Sequence, residues 1–436
     1  MLRSQGPEHP SGGLLLAPFR GLRYAPDRVG SLAAVTSPPY DVVVRPDGLH
    51  HLQTADPHNI VRLILPEAAD PAARHRQAAR TLRRWEADGV LVRDPEPALY
   101  VYEQRRGDVL QRGLIGSLRL TPPDEGVVLP HEDVMPEVVE DRAALMRETA
   151  ANLEPLLLSY RGDGTATGAT AVIERTAGRP PLLSTTTEDG FSHRLWAVTD
   201  TEEIAEAGRD LSRHQALIAD GHHRWATYLR LRSEQTGSSA GRADFWDHGL
   251  VLLVDTARYP LRVRAIHRVL PHLSVTDALA RMEGAFSVRT VDGPLPRALR
   301  SLETTPGNAF LLTGDGVFRL LHGPDPGLLA RAVPGGLPGE WRRLDATVLH
   351  SALLSALWRV PDGPSEVGYL HDAAAAVEQA ERLGGSAVLM RAVTEETVRG
   401  LARKGVTMPR KSTSFGPKPA TGLVLRALDG RPGEPA

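Results

Sequence analysis

The stretch from Leu217 to Leu229 constrains the fold of this chain most strongly, because it joins a strand to a helix through one glycine. The apolar run 217–219 predicts a buried strand that ends at Asp220. Gly221 permits a tight turn, and the amphipathic pattern from His222 onward predicts a helix. Such a junction directs backbone N–H groups and the positive end of the helix outward, where an anion can bind.

Four polar side chains lie at this junction. Arg224 offers a fork of N–H donors for phosphate oxygens, and Asp220 could act as a base or as a metal ligand. His222 and His223 add two imidazoles. Because polar groups are costly to bury, four of them together indicate either a functional site or a surface turn. The competing interpretation is an ordinary helix cap with solvated histidines.

The composition excludes several classes of protein. At 436 residues the chain is long enough for two or three domains. A net charge of −2 gives no global field for nucleic acid or for an acidic membrane surface. The chain has no cysteine, which excludes disulfides and thiolate chemistry, and no stretch approaches the about 20 apolar residues that span a bilayer. We therefore expect a soluble, cytoplasmic protein without nucleic-acid or membrane partners.

The lysines are distributed unevenly. Nearly all the basic residues are arginine, and every lysine lies near the C-terminus, namely Lys404, Lys411 and Lys418. A strong arginine bias is typical of GC-rich coding, and a lysine that survives it is a candidate for a position that needs a compact ammonium. Chance clustering is the alternative.

Apolar periodicity and turn residues predict mixed strands and helices along the chain. Residues 98–103 and 113–120 predict a hairpin, residues 71–87 a helix with proline near its start, and residues 59–65 a strand. The overall pattern is mixed α/β, without the strict alternation of a barrel. Further helices are predicted over about 141–152, 200–213 and 343–358.

The same patterns divide the chain into four regions. A polar, Gly/Pro-rich lead, expected to be disordered, covers residues 1–13, and an N-terminal α/β region covers 14–125. A central domain with the Asp220–Arg224 motif covers 126–272, and a C-terminal α/β region covers 273–436.

Two further segments carry candidate chemistry. His131 and Glu132 follow an apolar strand and a proline, and active-site groups are often found at such strand ends. Glu132 could abstract a proton, although a solvated loop glutamate is the competing interpretation. In the basic loop 409–418, Lys411, Ser412 and Thr413 offer a point charge and short donors that suit phosphate oxygens.

Tyr40 and Asp41 follow two prolines in a stiff turn. They present an aromatic hydroxyl and a carboxylate that could shape the wall of a substrate pocket. A packed turn explains them equally well.

Several standard sites are not supported by the sequence. There is no Walker A loop and no Gly-x-Gly-x-x-Gly fingerprint. A permanent zinc site is not expected, because no Cys set or His-x-x-x-His pattern exists and adjacent histidines cannot easily share one metal. A Mg²⁺ ion carried with a nucleotide is the metal that the residue types favour.

Six motifs in this order give the chain a resemblance to the SerK-like proteins. These form a large bacterial family, formerly a domain of unknown function, that is similar to free-serine kinases of the ParB/sulfiredoxin superfamily. The resemblance covers about residues 14–426. The motifs are Pro18-Phe19-Arg20-Gly21-Leu22-Arg23-Tyr24, Pro38-Pro39-Tyr40-Asp41-Val42, Asn59-Ile60-Val61-Arg62-Leu63, Leu129-Pro130-His131-Glu132, Ala219-Asp220-Gly221-His222-His223-Arg224 and Met408-Pro409-Arg410-Lys411-Ser412-Thr413.

The resemblance implies a ParB/sulfiredoxin-like core, with additional N- and C-terminal α/β regions. It implies a kinase that phosphorylates a small hydroxyl metabolite, most directly free L-serine, using ATP or ADP and Mg²⁺. The implied roles fall into four groups: Glu132, Asp220 and His223 as catalytic residues; Gly221, His222, Arg224, Lys411, Ser412 and Thr413 for the nucleotide; Tyr40, Asp41 and His131 for the substrate; and Asp220 for the metal.

Two other functions stay open at the level of sequence. The first is a nucleotide-binding or nucleotide-hydrolysing regulatory protein of the ParB type, without a small-molecule acceptor. The second is a catalytically silent protein that binds a metabolite or a partner. Whether the chain forms a homo-oligomer is also open.

Overall fold

The computed structural model describes residues 12–38, 48–68, 70–234, 245–361, 363 and 365–428. Strands and helices are mixed along these residues, which confirms the predicted mixed α/β class. The described residues form two compact units. The first takes its residues from Met1–Pro130, Val134–Leu261 and Pro417–Ala436, and the second from His131–Asp133 and Arg262–Gly416. The division into four regions by sequence stays a prediction.

The first unit is built on a nine-stranded mixed sheet in the order β6-β11-β8-β12-β5-β4-β10-β9, with β1 paired to β5. Two short strand pairs, β2 with β3 and β7 with β21, lie outside this sheet. The strands of the unit are β1 (Leu16–Ala17), β2 (Leu22–Tyr24), β3 (Leu91–Arg93), β4 (Leu99–Arg106), β5 (Val109–Arg119), β6 (Val128–Leu129), β7 (Ala151–Asn152), β8 (Leu156–Tyr160), β9 (Leu183–Thr186), β10 (Ser192–Val198), β11 (Ala216–Asp220), β12 (His248–Asp255) and β21 (Arg426–Ala427).

Besides a 3-10 helix over Pro123–Glu125, eight α-helices of the first unit have both ends among the described residues. Their starts follow local capping chemistry: the Asp70 carboxylate accepts from the N–H groups of Ala72 and Ala73, and Asp200 caps the helix that follows it in the same way. The helices are α1 (Leu32–Val35), α2 (Gly48–Ala55), α3 (Val61–Ile64), α4 (Pro71–Ala87), α5 (Pro136–Thr149), α6 (Gly168–Ala177), α7 (Thr201–Leu211) and α8 (His222–Glu234).

The position of β11, second from one edge of the large sheet, explains why a polar motif follows it at a defined place. β11 lies between β8, to which it is antiparallel, and β6, to which it is parallel. Leu217 and Ile218 of β11 are fully buried. Burial on both faces fixes the strand, so that the residues after its last apolar position emerge at a defined place at the end of the sheet.

The second unit has a six-stranded antiparallel sheet in the order β15-β17-β16-β19-β14-β18, and a separate pair of β13 with β20. Its helices cover Val275–Arg281, Leu295–Thr304, Pro326–Ala332, Gly339–Arg342, Asp345–Val348, Ala373–Leu383 and Glu395–Arg403. Its strands are β13 (Arg262–Arg264), β14 (His267–Leu270), β15 (Ser287–Val291), β16 (Ala309–Thr313), β17 (Phe318–His322), β18 (Gly368–Leu370), β19 (Ser386–Leu389) and β20 (Ser414–Gly416).

The predicted hairpin is confirmed as β4 and β5, and the helix over 71–87 is confirmed as α4. The strand predicted over 59–65 is wrong, because the segment contains the helix α3. The Asn59 side chain accepts from the Val61 N–H at 2.9 Å. This local bond starts a helical turn and overrides the β-propensity of the apolar run.

Two predicted helices have different bounds in the structure. The helix predicted over about 141–152 begins earlier, at Pro136, and ends at Thr149, where Ala150 turns the chain with a φ of 46°. The helix predicted over 343–358 is an α-helix only over Asp345–Val348 and continues as a π-helix over Leu349–Trp358.

Candidate functional site

The junction between β11 and α8 lies entirely within the first unit. The Trp225 N–H donates to the Gly221 carbonyl at 2.9 Å, which is the first bond of the helix. Gly221 has a φ of 101°, and a Cβ placed on it would lie 2.4 Å from Cδ2 of Leu156. Both the backbone angle and this close approach require glycine here. The predicted strand–glycine–helix arrangement is confirmed.

Asp220 holds two cations. Its Oδ2 accepts from Nη2 of Arg224 at 2.7 Å, and its Oδ1 is 2.7 Å from Nζ of Lys418. Burial would raise the pKa of this carboxyl, but the charges of Lys418 and Arg224 outweigh burial and lower the pKa below its ordinary value. Asp220 is therefore ionised at neutral pH and acts as an anchor for both cations.

Arg224 is held on more than one side. Its Nη1 donates to the Pro155 carbonyl at 3.0 Å and lies 3.9 Å from Oε1 of Glu154. The side chain is 14% exposed. These contacts fix the plane of the guanidinium, which is the condition for directional recognition of an anion.

The two histidines differ in their surroundings. His222 is buried, and burial lowers its pKa to about 4, so it is neutral at pH 7. The backbone N–H of Met135 donates to Nε2 of His223 at 3.1 Å. A ring nitrogen that accepts carries no proton, so His223 in this arrangement is the neutral tautomer with its proton on Nδ1. Its Nε2 is not available as a base in this geometry.

Lys418 also lies at this site, although it is not among the residues that the sequence motifs predicted for it. It lies 194 positions after Arg224 in the chain, and it belongs to the first unit because the residues from Pro417 on return to that unit. The signal was present: Lys418 is one of only three lysines in a chain that otherwise uses arginine.

The second unit brings together another group of predicted residues. Thr413 Oγ1 donates to Oε1 of Glu132 at 3.0 Å, and it lies 3.1 Å from Nε2 of His131. Because the single hydroxyl proton of Thr413 is directed to the carboxylate, His131 is the donor in the other bond. His131, Thr413 and Glu132 thus form a directed hydrogen-bond chain that ends on a carboxylate oxygen.

The other two predicted residues of the basic loop, Lys411 and Ser412, make different contacts. The Lys411 side chain is exposed, and its carbonyl accepts from Nη2 of Arg268 at 2.9 Å. The Ser412 hydroxyl donates to the Pro409 carbonyl. These contacts shape the loop from within. Tyr40 and Asp41 lie outside the described residues.

The residues at the junction do not fit a resident metal ion. Within the described part of the chain, no group of three or more His, Asp or Glu side chains is placed to hold a metal. Both oxygens of Asp220 already face cations, and a divalent ion would have to displace them. The chemistry that this geometry supports best is the binding of an anion by fixed cations beside a helix start.

A family model supports the sequence resemblance at the level of family. The model described as "Protein of unknown function (DUF1015)" matches residues 16–347. The chain belongs to the DUF1015 family. No curated protein matches the chain significantly.

Three solved structures illustrate more distant likenesses. A free serine kinase in complex with AMP is 18% identical, with 66% of this chain and 83% of that chain covered at a TM-score of 0.33. A conserved hypothetical protein from Pyrococcus furiosus is 17% identical, with 66% and 87% covered at a TM-score of 0.32. SbnI with a C-terminal truncation, from Staphylococcus aureus, is 11% identical, with 73% and 90% covered at a TM-score of 0.36. Likenesses this distant carry no inference about what the DUF1015 chain binds.

In the described part of the chain, none of the helices combines the length and the apolar character that crossing a bilayer requires. The cytoplasmic location stays a prediction.

Proposed function

We propose that this DUF1015 protein is a nucleotide-dependent phosphotransferase that acts on a small hydroxyl metabolite, with free L-serine as the acceptor and O-phosphoserine as the product. The observation that carries the proposal is the pair of cations, Arg224 and Lys418, gathered on Asp220 at the start of α8. Fixed positive charge and helix N–H groups are what a phosphate group needs. The six ordered motifs resemble the SerK-like family, whose Asp-Gly-His-His-Arg core is similar to that of free-serine kinases. This resemblance is the reason for proposing serine as the acceptor and a ParB/sulfiredoxin-like core.

The proposed reaction transfers one phosphoryl group from the nucleotide to serine. The serine hydroxyl oxygen attacks the terminal phosphorus of ATP or ADP and forms a new O–P bond, while the bond to the leaving ADP or AMP breaks. The hydroxyl proton passes to a general base, a role that the resemblance assigns to Glu132. Within the second unit, the Thr413 hydroxyl donates to the carboxylate of Glu132. Arg224 and Lys418 stabilise the charge on the phosphoryl oxygens, since positioning and electrostatics carry most of the barrier reduction in phosphoryl transfer. Mg²⁺ would arrive with the nucleotide phosphates.

The test is a product assay on the full chain with ATP or ADP, Mg²⁺ and L-serine, read by mass spectrometry of O-phosphoserine. Replacing Glu132→Gln removes the general base and should lower the rate by about 10²–10⁴-fold. Absence of phosphoserine with either nucleotide would contradict the proposal. Hydrolysis of the nucleotide without any acceptor would instead favour a regulatory protein of the ParB type.

A further inference from the structure

We infer that Arg268 is a positioning residue for the proposed general base, Glu132. It acts through the loop 409–413, whose last residue, Thr413, donates a hydrogen bond to that base. The inference rests on the proposed function, because the role of Glu132 as a base belongs to that function. All the contacts that support it lie within the second unit.

Arg268 is a fully buried cation on β14. Burial lowers the pKa of its guanidinium to about 10, so the group is still charged at neutral pH. In the part of the chain that the structure describes, no carboxylate pairs with it. Its partners are the carbonyls of Ile266 and Lys411, a ring nitrogen of His350 and the face of Tyr369. A buried charge without a counter-charge costs stability, so a stabilising role does not explain this arginine.

The contacts of Arg268 join several segments of the second unit. Its Nη1 donates to the Ile266 carbonyl, and its Nη2 donates to the Lys411 carbonyl at 2.9 Å and to Nε2 of His350 at 3.0 Å. Its Cζ lies 4.9 Å from the centre of the Tyr369 ring. Because a guanidinium is planar and its donors have fixed directions, these contacts hold the Lys411 carbonyl in one place.

The backbone at Lys411 needs such a contact. Lys411 has a φ of 55°, in the left-handed region, where a residue with a Cβ is strained by about 1–2 kcal/mol. A conformation of this kind persists only where the surrounding structure holds it. The Ser412 hydroxyl donates to the Pro409 carbonyl and closes the same turn. The bond from Arg268 holds this strained turn from outside the loop.

The loop 409–413 is also fixed at both of its ends. Before it, the Met408 N–H donates to the His131 carbonyl at 2.7 Å, and after it, β20 pairs with β13. With its middle held as well, the loop places Thr413 where its hydroxyl donates to Oε1 of Glu132 at 3.0 Å. Releasing the middle alone would leave both ends in place and shift Thr413, which is the effect of losing a positioning residue.

The experiment measures kcat and KM of phosphoserine formation by the full chain. Arg268→Lys keeps the positive charge but loses the fork of fixed donors. We expect kcat to fall about tenfold, and by less than in Thr413→Val, while KM stays within about twofold. Arg391→Lys is the matched control, because Arg391 also donates to two backbone carbonyls of the second unit, those of Thr305 and Gly307. Its kcat should equal that of the wild type.

A double-mutant cycle shows whether Arg268 acts through Thr413. In the Thr413→Val background the bond to Glu132 is already lost, so Arg268→Lys should lower kcat by no more than about twofold further. Effects that multiply in full, an unchanged kcat in Arg268→Lys, or a rise in KM that matches the fall in kcat would each overturn the inference. Arg268→Gln, which keeps donors without a charge, carries the test if circular dichroism shows that Arg268→Lys is misfolded.

Hydrogen–deuterium exchange of the same variants separates this inference from the proposed function. Arg268→Lys should speed exchange in peptides that span residues 409–415, and Arg391→Lys should not. If the wild type makes no phosphoserine but exchange changes as expected, the proposed function fails and the role of Arg268 in placing Thr413 stands. If the wild type makes phosphoserine and Arg268→Lys leaves exchange of residues 409–415 unchanged, the inference fails and the proposed function stands.

Discussion

At the scale of single residues, Gly221 decides whether the site can form. The residue joins β11 to α8 with a positive φ, and its missing Cβ makes room for Leu156. The sequence shows a glycine between a strand pattern and a helix pattern, so the turn itself was predictable. The contact with Leu156 was not, because it depends on how β8 pairs with β11 in the sheet.

Gly221→Ala should lower the free energy of unfolding by about 2–4 kcal/mol, since it adds a forced positive φ to a steric clash. Gly89→Ala is the matched control. Gly89 has a φ of 69°, but a Cβ there would meet nothing within 4 Å, so only the backbone cost of about 1 kcal/mol applies. Urea denaturation of the three proteins measures the difference. Equal losses in the two variants would show that the Leu156 contact is unimportant.

The burial of His222 predicts that the stability of the protein depends on pH. Its pKa is about 4 in the folded protein, against an ordinary value of 6.5, because burial disfavours the charged ring. Between these two values the unfolded chain binds more protons than the folded one, so stability is complete above pH 6.5 and is lost as the pH falls toward 4.

The difference in pKa corresponds to about 3 kcal/mol at most. Lowering the pH from 7 to 4 should therefore reduce the melting temperature of the wild type more than that of His222→Gln, which has no titrating group at this position. Thermal unfolding at a series of pH values measures the difference. His193 and His267 also have lowered pKa values and titrate in both proteins, so the comparison isolates His222. Parallel curves for the two proteins would mean that His222 is accessible to protons in the folded state.

At the scale of elements, helices and strands were predicted correctly where capping residues and apolar periodicity agreed. The prediction failed where a side-chain cap and the apolar pattern favoured different structures. Helix α4 has a capping aspartate, a proline at its start and a glycine after its end, and its predicted bounds are confirmed. The segment after Asn59 has the apolar character of a strand, but the side chain of Asn59 starts a helix. The contact of Lys418 with Asp220 could not be predicted at all, since it joins residues 198 positions apart in the chain.

The contacts of residues 131–133 within the second unit also join segments that are distant in the chain. The Met408 N–H donates to the His131 carbonyl at 2.7 Å, and Thr413 then lies beside both His131 and Glu132. The sequence predicted functional residues in segment 131–132 and in the basic loop 409–418, but it did not predict that the two segments are in contact.

Thr413→Val should lower kcat by about 10–100-fold with little change in KM, because it removes a hydrogen bond to the charged carboxylate that orients Glu132. Thr413→Ser keeps the hydroxyl and should restore most of the activity. Steady-state kinetics of phosphoserine formation measures both. A serine variant as impaired as the valine variant would indicate that the methyl group of Thr413 matters, and not its bond to Glu132.

At the scale of the whole molecule, the chain builds its first unit from distant segments. Residues after Pro417 return to this unit, where Leu22 and Leu425 exchange both backbone hydrogen bonds at 2.9 Å. Leu425 is fully buried there. The C-terminal residues thus help to form the core of the unit that carries the Asp220–Arg224 motif, and they bring Lys418 to it. Composition and periodicity predict neither this return nor the membership of residues 131–133 in the second unit, because both depend on long-range packing.

The central claim is that phosphate groups bind where Asp220, Arg224 and Lys418 meet. Hydrogen–deuterium exchange of the full chain, with and without ADP, tests it most directly, because a bound ligand protects the amides that it covers or stabilises. We predict that ADP slows exchange in peptides that span residues 219–226 and 417–421, and that adenosine protects them less. Protection confined to other peptides, or no change at these two segments at a saturating ADP concentration, would contradict the claim.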